Sequence, residues 1–129
     1  MIVDTSAVVA ILLVEADAEA FARTLAGAAH PRMSTATYVE LICVCDRRVG
    51  ADGVAKAERL IERAMIELVP LTAEQAKWER HARLTYGVGR HPACLNFGDC
   101  FAYALAKESG APLLYKGSGF SQTDMRAAL

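Results

Sequence analysis

The chain lacks an excess of either charge. Across 129 residues, 14 Lys and Arg stand against 15 Asp and Glu, a net charge of −1. A generally basic surface of the kind that holds nucleic acid by charge alone is therefore not expected, although a metal site can hold a phosphate without one. No uncharged run approaches the ~18 residues that a membrane span needs. The first residues have no basic n-region, and Asp4 breaks their apolar run, so a secretory leader is not read there. The four cysteines form no CxxC and no paired spacing with His, which argues against zinc. Cys43 and Cys45, two apart in a helical run, point to different faces and do not bridge easily. Buried, reduced thiols and a cytoplasmic location are the expectation. Neither GxxxxGK[ST] nor a GxGxxG after the first strand is present, which excludes the usual phosphate-cradling loops. Internal repeats, low-complexity segments and linkers are also missing.

What is present reads as one domain over residues 1–129, with 53% hydrophobic and 22% charged residues. Met1-Ile2-Val3 is a short strand ended by Asp4, and Thr5-Ser6 opens an apolar helix through Leu13. A helix over 16–27 follows. Arg32-Met33-Ser34 predicts a second strand, Ser34 or Thr35 caps a helix over 36–48, and Asp52–Met65 has the spacing of an amphipathic helix. Residues 66–71 predict a third strand, at an edge or ending at Pro70. Thr72 caps a helix over 73–86, and a loop runs from Gly87 to Leu95. Asn96 opens a helix closed by Gly110, and residues 112–115 form the fourth strand. Strands alternating with helices predict an α/β fold, a three-layer α/β/α sandwich around a central parallel sheet.

Three acids stand where charge is costly. Asp99 follows Asn96 and Gly98 at the head of a helix that is apolar on all sides as far as Lys107, the pattern of a buried helix. Asp4 ends the first strand, and the carboxyl ends of parallel strands are where α/β sheets bind ligands. Glu40 is the one charge in Tyr38–Cys45, mid-helix, unless it shares a polar stripe with Arg47. Capping accounts for Asn96 and Asp99, or for Asp4, taken singly. Taken together, carboxylates that converge in a low dielectric persist only with protons or a divalent cation. Oxygen donors suit Mg²⁺ or Mn²⁺, and the chemistry that uses such a site is phosphoryl transfer to water. Asn96, Thr5 and Ser6 could add neutral hydrogen bonds. A haloacid-type phosphatase would need a second Asp at the position of Ser6.

With these residues in view the sequence resembles the PIN-domain ribonucleases, specifically the VapC toxins of VapBC toxin–antitoxin pairs. The matching pieces are Met1–Ala7, Ser34-Thr35-Ala36 with Glu40, Tyr86–Ala93, Leu95–Cys100, Leu113–Gly117 and Phe120–Asp124. The resemblance implies a PIN-like parallel sheet and an Mg²⁺- or Mn²⁺-dependent endoribonuclease acting on RNA (tRNA or rRNA). It implies Asp4, Glu40 and Asp99 as the catalytic and metal-binding triad, a homodimer, and neutralisation by a VapB-type antitoxin. The family often carries a fourth acid in the turn that here reads Lys116-Gly117-Ser118-Gly119-Phe120. Its absence leaves Asp124 as a substitute, or a single metal. It also supports the alternative of an RNA- or antitoxin-binding module with weak or no catalysis. Arg80, Arg83, Arg90, His91 and Lys116 are the expected RNA contacts. The helix pair 36–48 and 52–65 is the expected antitoxin surface.

Overall fold

The computed structural model describes residues 1–129 throughout. Four short parallel strands, β1 (Ile2–Val3), β2 (Arg32–Ser34), β3 (Glu67–Val69) and β4 (Leu113–Leu114), form one sheet in the order β3-β2-β1-β4. Ile2 is opposite both Arg32 and Leu113, and Met33 is opposite Leu68. Successive strand residues face opposite sides, so Ile2 and Leu113 join one core while Val3 and Leu114 join the other. The first core is built with α1 (Thr5–Leu12), α2 (Ala18–Ala26), α3 (Thr35–Val49) and α4 (Ala51–Arg63). The second is built with α5 (Ala73–Tyr86) and α6 (Phe97–Ser109). The expected three-layer sandwich is the fold observed.

Local chemistry accounts for these elements. Cys100 through Ala106 of α6 are all buried, which is why this helix has no polar face. Gly110, in the left-handed conformation at φ 61°, ends it. Pro70 directly follows β3, the edge strand, where a missing N–H costs no ladder bond. The tail, expected to be irregular or briefly helical, has a short 3₁₀ turn at Phe120–Gln122 and a further pairing. Leu113 donates its N–H to Arg126 O, and Ala128 donates to Leu113 O, both at 2.9 Å. The tail thereby covers the free edge of β4. The expectation of buried thiols holds for Cys45 and Cys100, whereas Cys43 and Cys94 are exposed; all four are free. No helix is long and apolar enough to cross a membrane.

The chain order carries the functional consequence. From β1 the chain moves through β2 to β3, then returns across the sheet to β4 on the other side of β1. That reversal leaves a crevice at the carboxyl ends of β1 and β4, where Asp4 and Lys116 lie.

Candidate active site

Asp4 leaves β1 with its N–H bonded to Leu114 O at 2.9 Å and serves as the N-cap of α1. Its Oδ2 accepts the Ser6 N–H at 2.9 Å and the Ser6 hydroxyl. Ser6 Oγ in turn accepts the Lys116 N–H at 2.9 Å, which leaves its own hydrogen for Asp4. The capping role is thus real, yet it uses one oxygen only. Oδ1 is buried without any partner in a residue only 2% exposed. Burial pushes the Asp4 carboxyl above its usual range, against the Ser6 hydrogen bonds. An orphaned anionic oxygen in the interior is expensive unless a ligand completes it.

Glu40 reaches the same crevice from α3, and the Thr5 hydroxyl donates to its Oε2 at 2.7 Å. Its position depends on a missing side chain: a Cβ on Gly98 would stand 1.8 Å from Glu40 Oε1. Only glycine lets that carboxylate lie against the first turn of α6. Burial raises the Glu40 carboxyl, the Thr5 hydrogen bond opposes this, and the Asp4 charge adds to the rise.

Asp99 sits in that first turn in a complete capping box. Its N–H donates to Asn96 Oδ1 at 2.9 Å, and its Oδ2 accepts the Asn96 N–H at 2.7 Å. Despite the box and the helix dipole, its carboxyl is raised to about 7. Burial is the main cause, the Asn96 bond works against it, and the charges of Asp4 and Glu40 raise it further. The three acids therefore feel one another.

All three line one open pocket of about 240 Å³, together with Thr5, Ser6, Asn96, Glu15, Lys116, Arg47 and Arg48. Lys116 Nζ is held by Glu15 at 2.5 Å and Asp17 at 2.6 Å. No trio of His, Cys, Asp or Glu stands at the spacing of a preformed metal cage. Mg²⁺ does not require one, since it binds through one or two carboxylates and otherwise keeps water or phosphate. The donor set is oxygen-only, and Asp4 Oδ1 lacks a partner, so the residues fit Mg²⁺ or Mn²⁺.

The structure also separates residues that the sequence grouped. Asp124 does not reach the pocket: it accepts the Tyr103 hydroxyl at 2.9 Å and pairs with Lys107 near the far end of α6. Lys107 lies eight residues, about 12 Å, along the helix from Asp99. Of the expected RNA contacts only Lys116 lines the pocket. Arg80 and Arg83 lie on α5, outside the pocket lining, and Arg83 donates to Val88 O at 3.1 Å. Arg90 and His91 lie in the loop before α6, where His91 Nδ1 accepts the Ala93 N–H. Beside Lys116, the acids' cationic neighbours are Arg47 and Arg48, and Glu15 is a fourth acid in the pocket. Only the Glu40–Arg47 stripe gave a sequence signal for any of these. Gly117, in the turn without the expected acid, has φ 101°, a conformation that strains any L side chain placed there.

Residues 1–125 match the PIN domain family. A ribonuclease VapC of Mycolicibacterium smegmatis is 48% identical over 98% of this chain and 98% of its own length. The ribonuclease VapC30 of Mycobacterium tuberculosis is 47% identical over 97% and 95% respectively. The chain belongs to the PIN-domain family, among the VapC proteins. Two solved structures show the same fold. VapC20 of M. tuberculosis, described as a sarcin–ricin-loop-cleaving toxin, superposes with a TM-score of 0.78 at 16% identity, covering 96% of this chain and 95% of that one. A toxin–antitoxin complex from Klebsiella pneumoniae gives 0.68 at 16% identity, covering 95% and 92%. At such identities these two neighbours speak to the fold alone.

Proposed function

We propose that this VapC protein is a toxin that hydrolyses RNA phosphodiester bonds as an endonuclease dependent on Mg²⁺ or Mn²⁺, with Asp4, Glu40 and Asp99 as its acidic triad. The observation that carries the reading is Asp4 Oδ1, a buried anionic oxygen without a partner in a pocket shared with two further carboxylates of raised proton affinity. The relatives named ribonuclease VapC support RNA as the substrate.

Asp4 and Asp99 would hold the ion, with Glu40 beside them. A bound Mg²⁺ or Mn²⁺ supplies Lewis-acid stabilisation of the charge that builds on the phosphoryl oxygens. The chain's own groups do the orienting. Ser6 fixes Asp4 through Oδ2 and leaves Oδ1 to the pocket. Asn96 fixes Asp99 through Oδ2, and Thr5 fixes Glu40 through Oε2. A carboxylate held by one oxygen can accept the attacking water's proton at the other. Glu40, which Gly98 keeps close to Asp99, is placed for that role.

The other partners follow the same reading. An apolar cavity of about 260 Å³ between α1, α3 and α4, lined by Val9, Leu12, Val44 and Val49 among others, suits an apolar helix face of a VapB-type antitoxin. Phe97, 70% exposed, and Val39, 58% exposed, form an apolar face where α3 meets α6 that suits a homodimer contact. Cellular RNA as substrate places the action in the cytoplasm.

The test is a Mn²⁺ titration of antitoxin-free protein with total cellular RNA, run beside Asp99→Asn. Discrete fragments that vanish in the variant support the reading and identify the RNA cut. RNA bound but uncut at every Mn²⁺ level would replace the nuclease with a binding module.

A further inference from the structure

Three cations line the acidic pocket, and they are not alike. Lys116 is engaged by Glu15 and Asp17. Arg47 and Arg48, in the last turn of α3, line the same pocket, and no acid pairs with either. They share α3 with Glu40. Seven and eight residues at 1.5 Å each put them about 10–12 Å beyond it along the axis. Seven residues also return to within about 20° of the same side of a helix, and Val44, between them, lines the pocket too.

This arrangement bears on how a polyanion enters. The acids attract a divalent ion at the crevice but repel every phosphate that the ion does not neutralise. A strand crossing the site therefore needs fixed cations just beyond the acids. Guanidinium groups, with forked donors that match two phosphate oxygens, suit that task. We propose that Arg47 and Arg48 grip the RNA backbone phosphates adjoining the scissile bond and so set the path of the strand along α3. The inference rests on the ribonuclease reading above. It moves the phosphate contacts to α3 and away from Arg80, Arg83, Arg90 and His91. Basic residues in a last turn also complement the helix dipole, but that role acts on stability and leaves RNA affinity unchanged.

The experiment compares the full chain, antitoxin-free, with the double variant Arg47→Ala/Arg48→Ala, using a single-stranded RNA that the unmodified protein cuts with Mn²⁺. KM should rise roughly tenfold with kcat within about twofold, while Mn²⁺ binding measured by calorimetry stays unchanged. On an Asp99→Asn background, where the RNA stays whole, the slope of log affinity against log salt should fall by about 0.7 for each lost phosphate contact. The single variants Arg47→Gln and Arg48→Gln, which keep a polar stem, should each give about a threefold rise in KM. Arg59→Ala/Arg63→Ala on α4 removes the same charge away from the pocket and should leave KM unchanged. An unaltered KM and salt slope in the α3 variants, with the unmodified protein cutting RNA, overturns the inference and leaves the nuclease standing. Equal effects from the α3 and α4 pairs also overturn it, because net charge alone would then explain them. If the unmodified protein neither cuts nor binds RNA, the nuclease reading itself fails.

Discussion

The two ends of α6 hold carboxylates in opposite conditions. Near the C-terminal end, burial pushes Asp124 up, but hydrogen bonds from Lys107 and Tyr103 outweigh it and hold the group below its usual range. At the N-terminal end Asp99 has the better backbone partner, a capping box at a positive dipole, and is nevertheless raised to about 7. The helix is the same and so is the residue type. What differs is company: Asp124 faces an ammonium and a phenol, while Asp99 faces burial and two more acids. The first is a finished structural contact. The second is a cluster that becomes stable as an anion only with a cation added.

The largest expected effect breaks the N-terminal end. Asp99→Asn, whose amide oxygen can still accept the Asn96 N–H, and Asp4→Asn should each lower RNA cleavage by about 10³-fold or more with circular dichroism unchanged. Cleavage at the unmodified rate in either variant would remove these acids from the site.

Gly98→Ala comes next. Its Cβ would displace Glu40 Oε1 from the head of α6, so cleavage should fall roughly 10–100-fold. Shortening the acid in Gly98→Ala/Glu40→Asp makes room for the new methyl and should recover part of the loss. A Gly98→Ala rate equal to that of the unmodified protein would show that Glu40 needs no such place.

A third prediction concerns pH in the presence of chelator. Asp99, raised from 3.8 to about 7, binds its proton more tightly folded than unfolded. Between those values the folded state holds more protons, so stability falls as pH rises through that window and levels off above it. Asp4 and Glu40, also raised by burial, act in the same direction. Thermal unfolding should lose about 2–4 kcal/mol between pH 4 and 7.5. Mn²⁺ at 100 times its dissociation constant should return about 2.7 kcal/mol at the upper pH. Stability that rises over this range without metal would contradict the electrostatics.

The smallest effect belongs to the other end. Asp124→Asn keeps an acceptor for Tyr103 and loses the charge pair with a partly exposed Lys107, which should cost about 0.5–1 kcal/mol. Its cleavage rate should stay within about twofold, and a large loss of activity would mean that the two ends are coupled.

Much of this was legible in the residues. Asp4 after an apolar triplet, Thr72 before the 73–86 helix, Asn96 before Asp99, and Gly110 are local signals, and each stands where local chemistry put it. Asp4, Glu40 and Asp99, which share one pocket, stand out in the sequence because charge beside or inside apolar runs is anomalous whatever the tertiary fold. Sequence reasoning failed where position depends on distant chain. Glu15 enters the pocket beside Lys116, 101 residues away. Gly98 reads as an ordinary helix-start residue until Glu40 is laid against it. Asp124, expected as the substitute for the acid missing from the last turn, is instead carried by the tail to Lys107 and Tyr103. Arg80, Arg83, Arg90 and His91 are expected beside the metal because phosphates need cations there, yet among the basic residues only Arg47, Arg48 and Lys116 line the crevice.

The central claim is that the N-terminal end of α6 is built to receive a cation and the C-terminal end is not. Calorimetric titration of Mn²⁺ into the unmodified protein, Asp99→Asn and Asp124→Asn tests it directly. Saturable binding in the unmodified protein and in Asp124→Asn, lost in Asp99→Asn, is the predicted result. Equal binding by all three, or binding lost only in Asp124→Asn, would contradict the account.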